Sequence, residues 1–128
     1  MLDMKREEYI YYAFMKKVTE DGFISLDESG LILILEDKLG LSDDKMDEIM
    51  GWIEDGTIPV DKDELKVLKD DTSNHLYELS IYESILKEAL KDEAIEREEK
   101  DLIMSLTSIM NVTEDERSKI YDNIKSMP

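Results

Sequence analysis

Apolar residues recur along this chain at intervals of three and four, and each run is bounded by residues that start or stop a helix. Ile10, Phe14 and Val18 form one stripe with Tyr11 and Met15 beside it, and Glu7 and Glu8 suit the positive end of a helix dipole. Asp21-Gly22 breaks that helix. Ser25 followed by Glu28 is a capping box, opening a second helix that turns Leu31, Ile32, Leu35 and Leu39 inward and stops at Gly40. Ser42 caps a third, in which Met46, Ile49, Met50 and Ile53 share a face before Asp55-Gly56 closes it. Ile58-Pro59-Val60-Asp61 then leads into a shorter helix with Leu65 and Leu68 inward, and the polar stretch from Asp70 to Asn74 reads as a linker. Leu76, Leu79, Tyr82, Leu86 and Ala89 mark a long fifth helix. Leu102, Ile103, Leu106 and Met110 mark a sixth, and Thr113 caps a seventh.

Much of this pattern occurs twice. Ile10-Tyr11, Lys16, Asp21, Ile24, Glu28, Leu31-Ile32 and Leu35 reappear 71 positions later as Ile81-Tyr82, Lys87, Asp92, Ile95, Glu99, Leu102-Ile103 and Leu106. Asp44, Ile49 and Ile53 return as Asp115, Ile120 and Ile124 without a gap, while Asn111 stands for Gly40 and Thr113 for Ser42. Apolar positions at helical spacing and the acids flanking a turn are copied together, so the repeated unit is a helix-loop-helix with its core face intact. The expected architecture is all-α: one domain over 1–128, an internally duplicated bundle of about seven helices, with repeats at 10–53 and 81–124 joined by 54–80. Glu54-Asp55-Gly56-Thr57-Ile58 echoes Glu20-Asp21-Gly22-Phe23-Ile24, which suggests a third loop of the same design. Ile24, Ile58 and Ile95 could then meet as a small bridge, the only strand content expected.

Charge narrows the functional classes. Thirty-three acids against sixteen bases, thirteen of them lysine, give a net charge of -17 that repels phosphate backbones and anionic lipid surfaces, so nucleic acid and membrane are poor partners. The apolar stretch Leu31 to Leu35 is too short to span a bilayer. The first residues carry acids where an export signal needs bases followed by an apolar run, and the chain has no cysteine, so a cytoplasmic home is expected.

The paired turns invite comparison with calcium-binding loops, which need oxygen ligands at positions one, three, five, seven and nine, glycine at six and glutamate at twelve. With Gly22 sixth, Asp21, Ile24, Ser25 and Glu28 fall correctly, but Lys17 is first and Thr19 third. In the second copy Glu88 and Glu99 fit the ends, yet Leu90 is third and Glu93 replaces the glycine. Ligand counting therefore opposes a calcium site of ordinary affinity and gives Glu28 and Glu99 a capping role, with Asp21 and Asp92 bonding amides of their own turns.

The segment from Tyr11 to Asp44, with its Thr19-Glu20-Asp21-Gly22-Phe23-Ile24-Ser25-Leu26-Asp27-Glu28 turn and Leu39-Gly40-Leu41-Ser42-Asp43-Asp44, resembles the tellurite-resistance TerB-like family. The second copy, ending Ile109-Met110-Asn111-Val112-Thr113-Glu114-Asp115, is similar to it at fewer positions. What the resemblance implies is a compact helical bundle whose acids before the loop glycine and at the opening of the next helix are candidate metal ligands. On this chain those are Asp21 and Glu28, with Asp92 and Glu99 as their copies.

Other chemistry is sparse. His75 is the single histidine, so neither a helical zinc motif nor a serine triad can be assembled around it, and it reads as a helix-start residue. No glycine-rich phosphate loop is present, and an enzyme is not expected. Met46, Met50, Met104 and Met110 read as core. Tyr9, Tyr11 and Tyr12 point in three directions on one helix, so at least one is expected to be exposed or to face a partner, with Tyr9 and Tyr12 the candidates for a partner contact. Two functions follow: a non-catalytic acidic helical interaction module that binds a protein partner or a second copy, and, as the alternative, a weak divalent-cation binder with no other cofactor.

Overall fold

The computed structural model describes residues 4–20, 26–58, 60–91 and 97–126, apart from the side chains of 26–28 and 97–99. Its elements are α1 (Arg6–Glu20), α2 (Leu26–Leu39), α3 (Asp43–Asp55), α4 (Lys62–Asp70), α5 (His75–Ala89), α6 (Arg97–Ile109) and α7 (Glu114–Lys125). There is no strand among the described residues, and no helix there is long and apolar enough to cross a membrane.

The helix ends fall where local chemistry puts them. Ser42 accepts a bond from the Lys45 amide, Asp61 from Glu64, and Thr113 from Glu116, whose carboxylate reaches back to the Thr113 amide to complete a capping box. Gly40 and Gly56 end α2 and α3 with φ of 67° and 70°, and Asn111 takes φ of 57° after α6. Asparagine is among the few non-glycine residues that enter this region readily, which is why it can stand at the position equivalent to Gly40.

Opposite outcomes are therefore expected for two alanine substitutions. Gly40→Ala forces a β-carbon into the left-handed region and should cost about 1–2 kcal/mol. Gly51→Ala, inside α3 with open space where the β-carbon would stand, should stabilise by about 0.5–1 kcal/mol. Urea unfolding followed by circular dichroism measures both.

The helices interleave. α1 packs on α6 as well as on α2, α3 and α4, and α5 packs on α2, α6 and α7. Each half of the chain thus covers the other, and the core is continuous from Ile10, Phe14 and Val18 through Leu31 and Leu35 to Ile81, Ile85, Leu102 and Leu106. Two pairs of side-chain bonds stand 71 residues apart. Tyr11 donates to Glu36 at 2.7 Å, and Thr107, the counterpart of Glu36, bonds the Tyr82 hydroxyl at 3.0 Å. Arg6 donates to the Ile109 carbonyl while Tyr77 donates to that of Lys38, again equivalent positions. Burial and the Glu36 carboxylate together push the Tyr11 hydroxyl far above the usual phenol range, so it remains a donor.

Three expectations are corrected. Tyr9, Tyr11 and Tyr12 are all buried, at 8%, 2% and 6% exposure, because α1 packs against α2, α3, α4 and α6. Ile58 is 60% exposed and joins no bridge among the described residues; Ile24 and Ile95 lie outside them. Met104 is exposed, because Leu102, Ile103, Leu106 and Met110 take the inward face of α6 and position 104 falls opposite. Met110 is fully buried.

Candidate functional site

Charged side chains are rarely buried unless paired, and Arg6 and Glu78 are both buried. All five guanidinium N–H groups of Arg6 have an acceptor. Nε and Nη2 reach the Glu78 carboxylate at 3.1 and 2.9 Å, Nη1 reaches the Leu68 and Lys69 carbonyls at 2.6 and 3.2 Å, and Nη2 also reaches the Ile109 carbonyl at 2.9 Å. The carbonyls belong to the C-terminal ends of α4 and α6, the negative ends of their dipoles, so one cation ties three helices to α5. Asn111 adds a second tie, donating to the Lys69 carbonyl at 2.7 Å. Together these bonds fix the short helix α4 against α1 and α6.

That placement creates a groove. On α1, Tyr9, Tyr12, Ala13 and Lys16 recur at three- and four-residue steps and share a side. On α4 the same spacing aligns Lys62, Leu65, Lys66 and Lys69, and on α6 it aligns Ser105, Ser108 and Ile109. Two open depressions of about 410 and 600 Å³ run together here, sharing Tyr9, Leu65, Ser108 and Ile109. Leu65 and Ile109 give an apolar floor, while lysines stand on both walls.

Lys16 and Lys17 on one side and Lys62, Lys66 and Lys69 on the other make five of the thirteen lysines, against only Glu20 and Asp70 in the lining. Lys16 lies 6.0 Å from the centre of the Tyr12 ring, and the other four form no ion pair with any described residue. A locally positive trough thus exists on a chain of net charge -17. Burial raises the Tyr9 hydroxyl above its ordinary value, the nearby Arg6 charge opposing in part, so it faces the trough as a neutral donor and acceptor. Tyr9 and Tyr12, expected at an exposed contact, sit instead as the buried inner edge of this trough.

A second polar contact joins α5 to α7. His75 Nε2 lies 2.9 Å from Glu116, and its Nδ1 is buried without a hydrogen-bond partner. The Thr113 amide, with His75 assisting, holds the Glu116 carboxyl below its usual range. A folded-state value below the unfolded one means that Glu116 stabilises the fold above about 4.5, its ordinary value, and that this contribution is lost as pH falls through the lowered value. In urea melts, wild type should therefore exceed Glu116→Gln in stability at neutral pH, and the gap should close on acidification.

The candidate metal ligands are only partly placed. Glu28 and Glu99 fall in the first turns of α2 and α6, but their side chains, like Asp21 and Asp92 entirely, lie outside the described residues. Among the described residues no three acidic or imidazole side chains gather as a metal group. The lysine trough, by contrast, was missed from sequence. The stripe Lys62, Leu65, Lys66 and Lys69 was a local signal for one wall, but nothing local shows that α1 and α6 supply the other.

No protein-family model, curated protein or solved structure matches the chain.

Proposed function

We propose that this chain is a non-catalytic interaction module whose protein partner docks in the trough between α1, α4 and α6. The observation that carries this reading is the meeting of lysines free of ion pairs with described residues, exposed hydroxyls and an apolar floor in one groove of an otherwise acidic surface. Interfaces that last combine an apolar centre with a polar rim, and Tyr9, Tyr12, Leu65 and Ile109 give the centre here. Lysines on the rim add steering and register more than raw affinity. The partner is a different protein, because two copies that each carry seventeen net negative charges repel one another as they approach.

The test is photo-crosslinking from Ser108, an exposed position in the trough, with Ser118 on α7 as control. Benzoylphenylalanine placed at Ser108 in the native source should give a discrete protein adduct that is absent from Ser118. Identical adduct patterns from the two positions, or an adduct at the mass of two copies, would overturn the reading.

A further inference from the structure

Resting on that reading, we infer that the docked part of the partner is an extended acidic segment in which carboxylates alternate with apolar side chains. Charge sets the first half of this. The trough presents five lysines and two acids, so its occupant is anionic. Among the described arginines none reaches it: Arg6 is committed to Glu78 and to helix-end carbonyls, and Arg117 is paired with Glu114. The trough therefore lacks the planar fork that grips a compact phosphate from two sides, and offers point charges spread along its walls.

Spacing sets the second half. Lys62 and Lys66 stand one helical turn apart, about 6 Å along α4. Alternate residues of an extended strand stand about 6.6 Å apart and share a face. Carboxylates at every second position can thus follow Lys62 and Lys66, while the intervening side chains turn away from α4, toward Ile109 and Tyr9 on the opposite walls. Nucleic acid fits worse, since phosphates running on past the trough come within a screening length of about 8 Å of the surrounding acids, whereas a short segment lies mainly beside the lysines.

The experiment uses the full chain and a fluorescein-labelled peptide of alternating glutamate and leucine, titrated by fluorescence anisotropy at physiological salt. Saturable binding is expected, weakened about tenfold or more by Lys62→Glu with Lys66→Glu, which turn attraction into like-charge contact. Both positions are exposed and form no ion pair with described residues, so thermal melts of the variant should overlay those of wild type. Lys87→Glu with Lys119→Glu, both exposed and outside the trough, should leave binding unchanged. Equal binding by the two double variants would overturn the inference, as would preference for a lysine-leucine peptide or for a single-stranded oligonucleotide. A specific adduct at Ser108 without peptide binding overturns the acidic segment alone and leaves the protein-partner reading standing; absence of a specific adduct at Ser108 overturns that reading and, with it, the inference that rests on it.

Discussion

Replacing Arg6 with alanine should lower the unfolding free energy by about 3–5 kcal/mol, the cost of leaving one member of a buried ion pair without its partner. For a chain of this size that is a fall of about 10–20 °C in melting temperature, readable by circular dichroism. Glu78 would be left buried and charged, and the carbonyls of Leu68 and Ile109 would each lose a charged donor. Glu78→Ala should cost a similar amount by stranding the guanidinium, although Arg6 would keep its bonds to the helix ends. Replacing both with apolar residues of similar size, Arg6→Met with Glu78→Leu, should recover much of the loss, because the largest part of the penalty is desolvated charge without compensation. If the single and double variants are equally unstable, the pair does not act as a unit.

The same variants test how the trough is held. Loss of Arg6 removes two of the bonds that fasten the end of α4, leaving Asn111 as the remaining tie at Lys69. Amide exchange in α4 should therefore quicken more in Arg6→Ala than in Glu78→Ala, where those bonds persist. Equal protection of α4 in the two variants would show that apolar packing of Leu65 and Leu68 alone holds the helix.

What could be read in the sequence was local. Gly40, Ser42, Gly56 and Thr113 act on their own turns, so the helix ends they mark are found where their chemistry places them. What could not be read was set by partners distant in the chain. Arg6 and Glu78, 72 residues apart, look like ordinary first-turn charges until the fold brings them together. Tyr9 and Tyr12 resemble a surface pair until α4 and α6 close over that side of α1, and the lysine trough exists only once those three helices are assembled. Net charge, a sum over the chain, conceals such a local excess of the opposite sign.

The 71-residue repeat in the sequence makes a quantitative claim about the core: were the unit doubled, equivalent positions should cost the same to empty wherever their surroundings match. Leu35 and Leu106 are both fully buried, so Leu35→Ala and Leu106→Ala should each destabilise by about 2–5 kcal/mol and differ little from one another. Ile49 and Ile120 occupy equivalent positions too, yet Ile49 is fully buried while Ile120 is only half-buried. α3 is held closely against α1, whereas the packing of α7 on α5 leaves its inward side partly open to water. Ile49→Ala should accordingly cost about 2–5 kcal/mol and Ile120→Ala less than half as much, since a site open to solvent leaves a smaller cavity behind. Chemical denaturation of the four variants measures both comparisons. Equal costs at 49 and 120 would mean that α7 packs as tightly as α3, and unequal costs at 35 and 106 would end the view that the two halves build one core from matched positions.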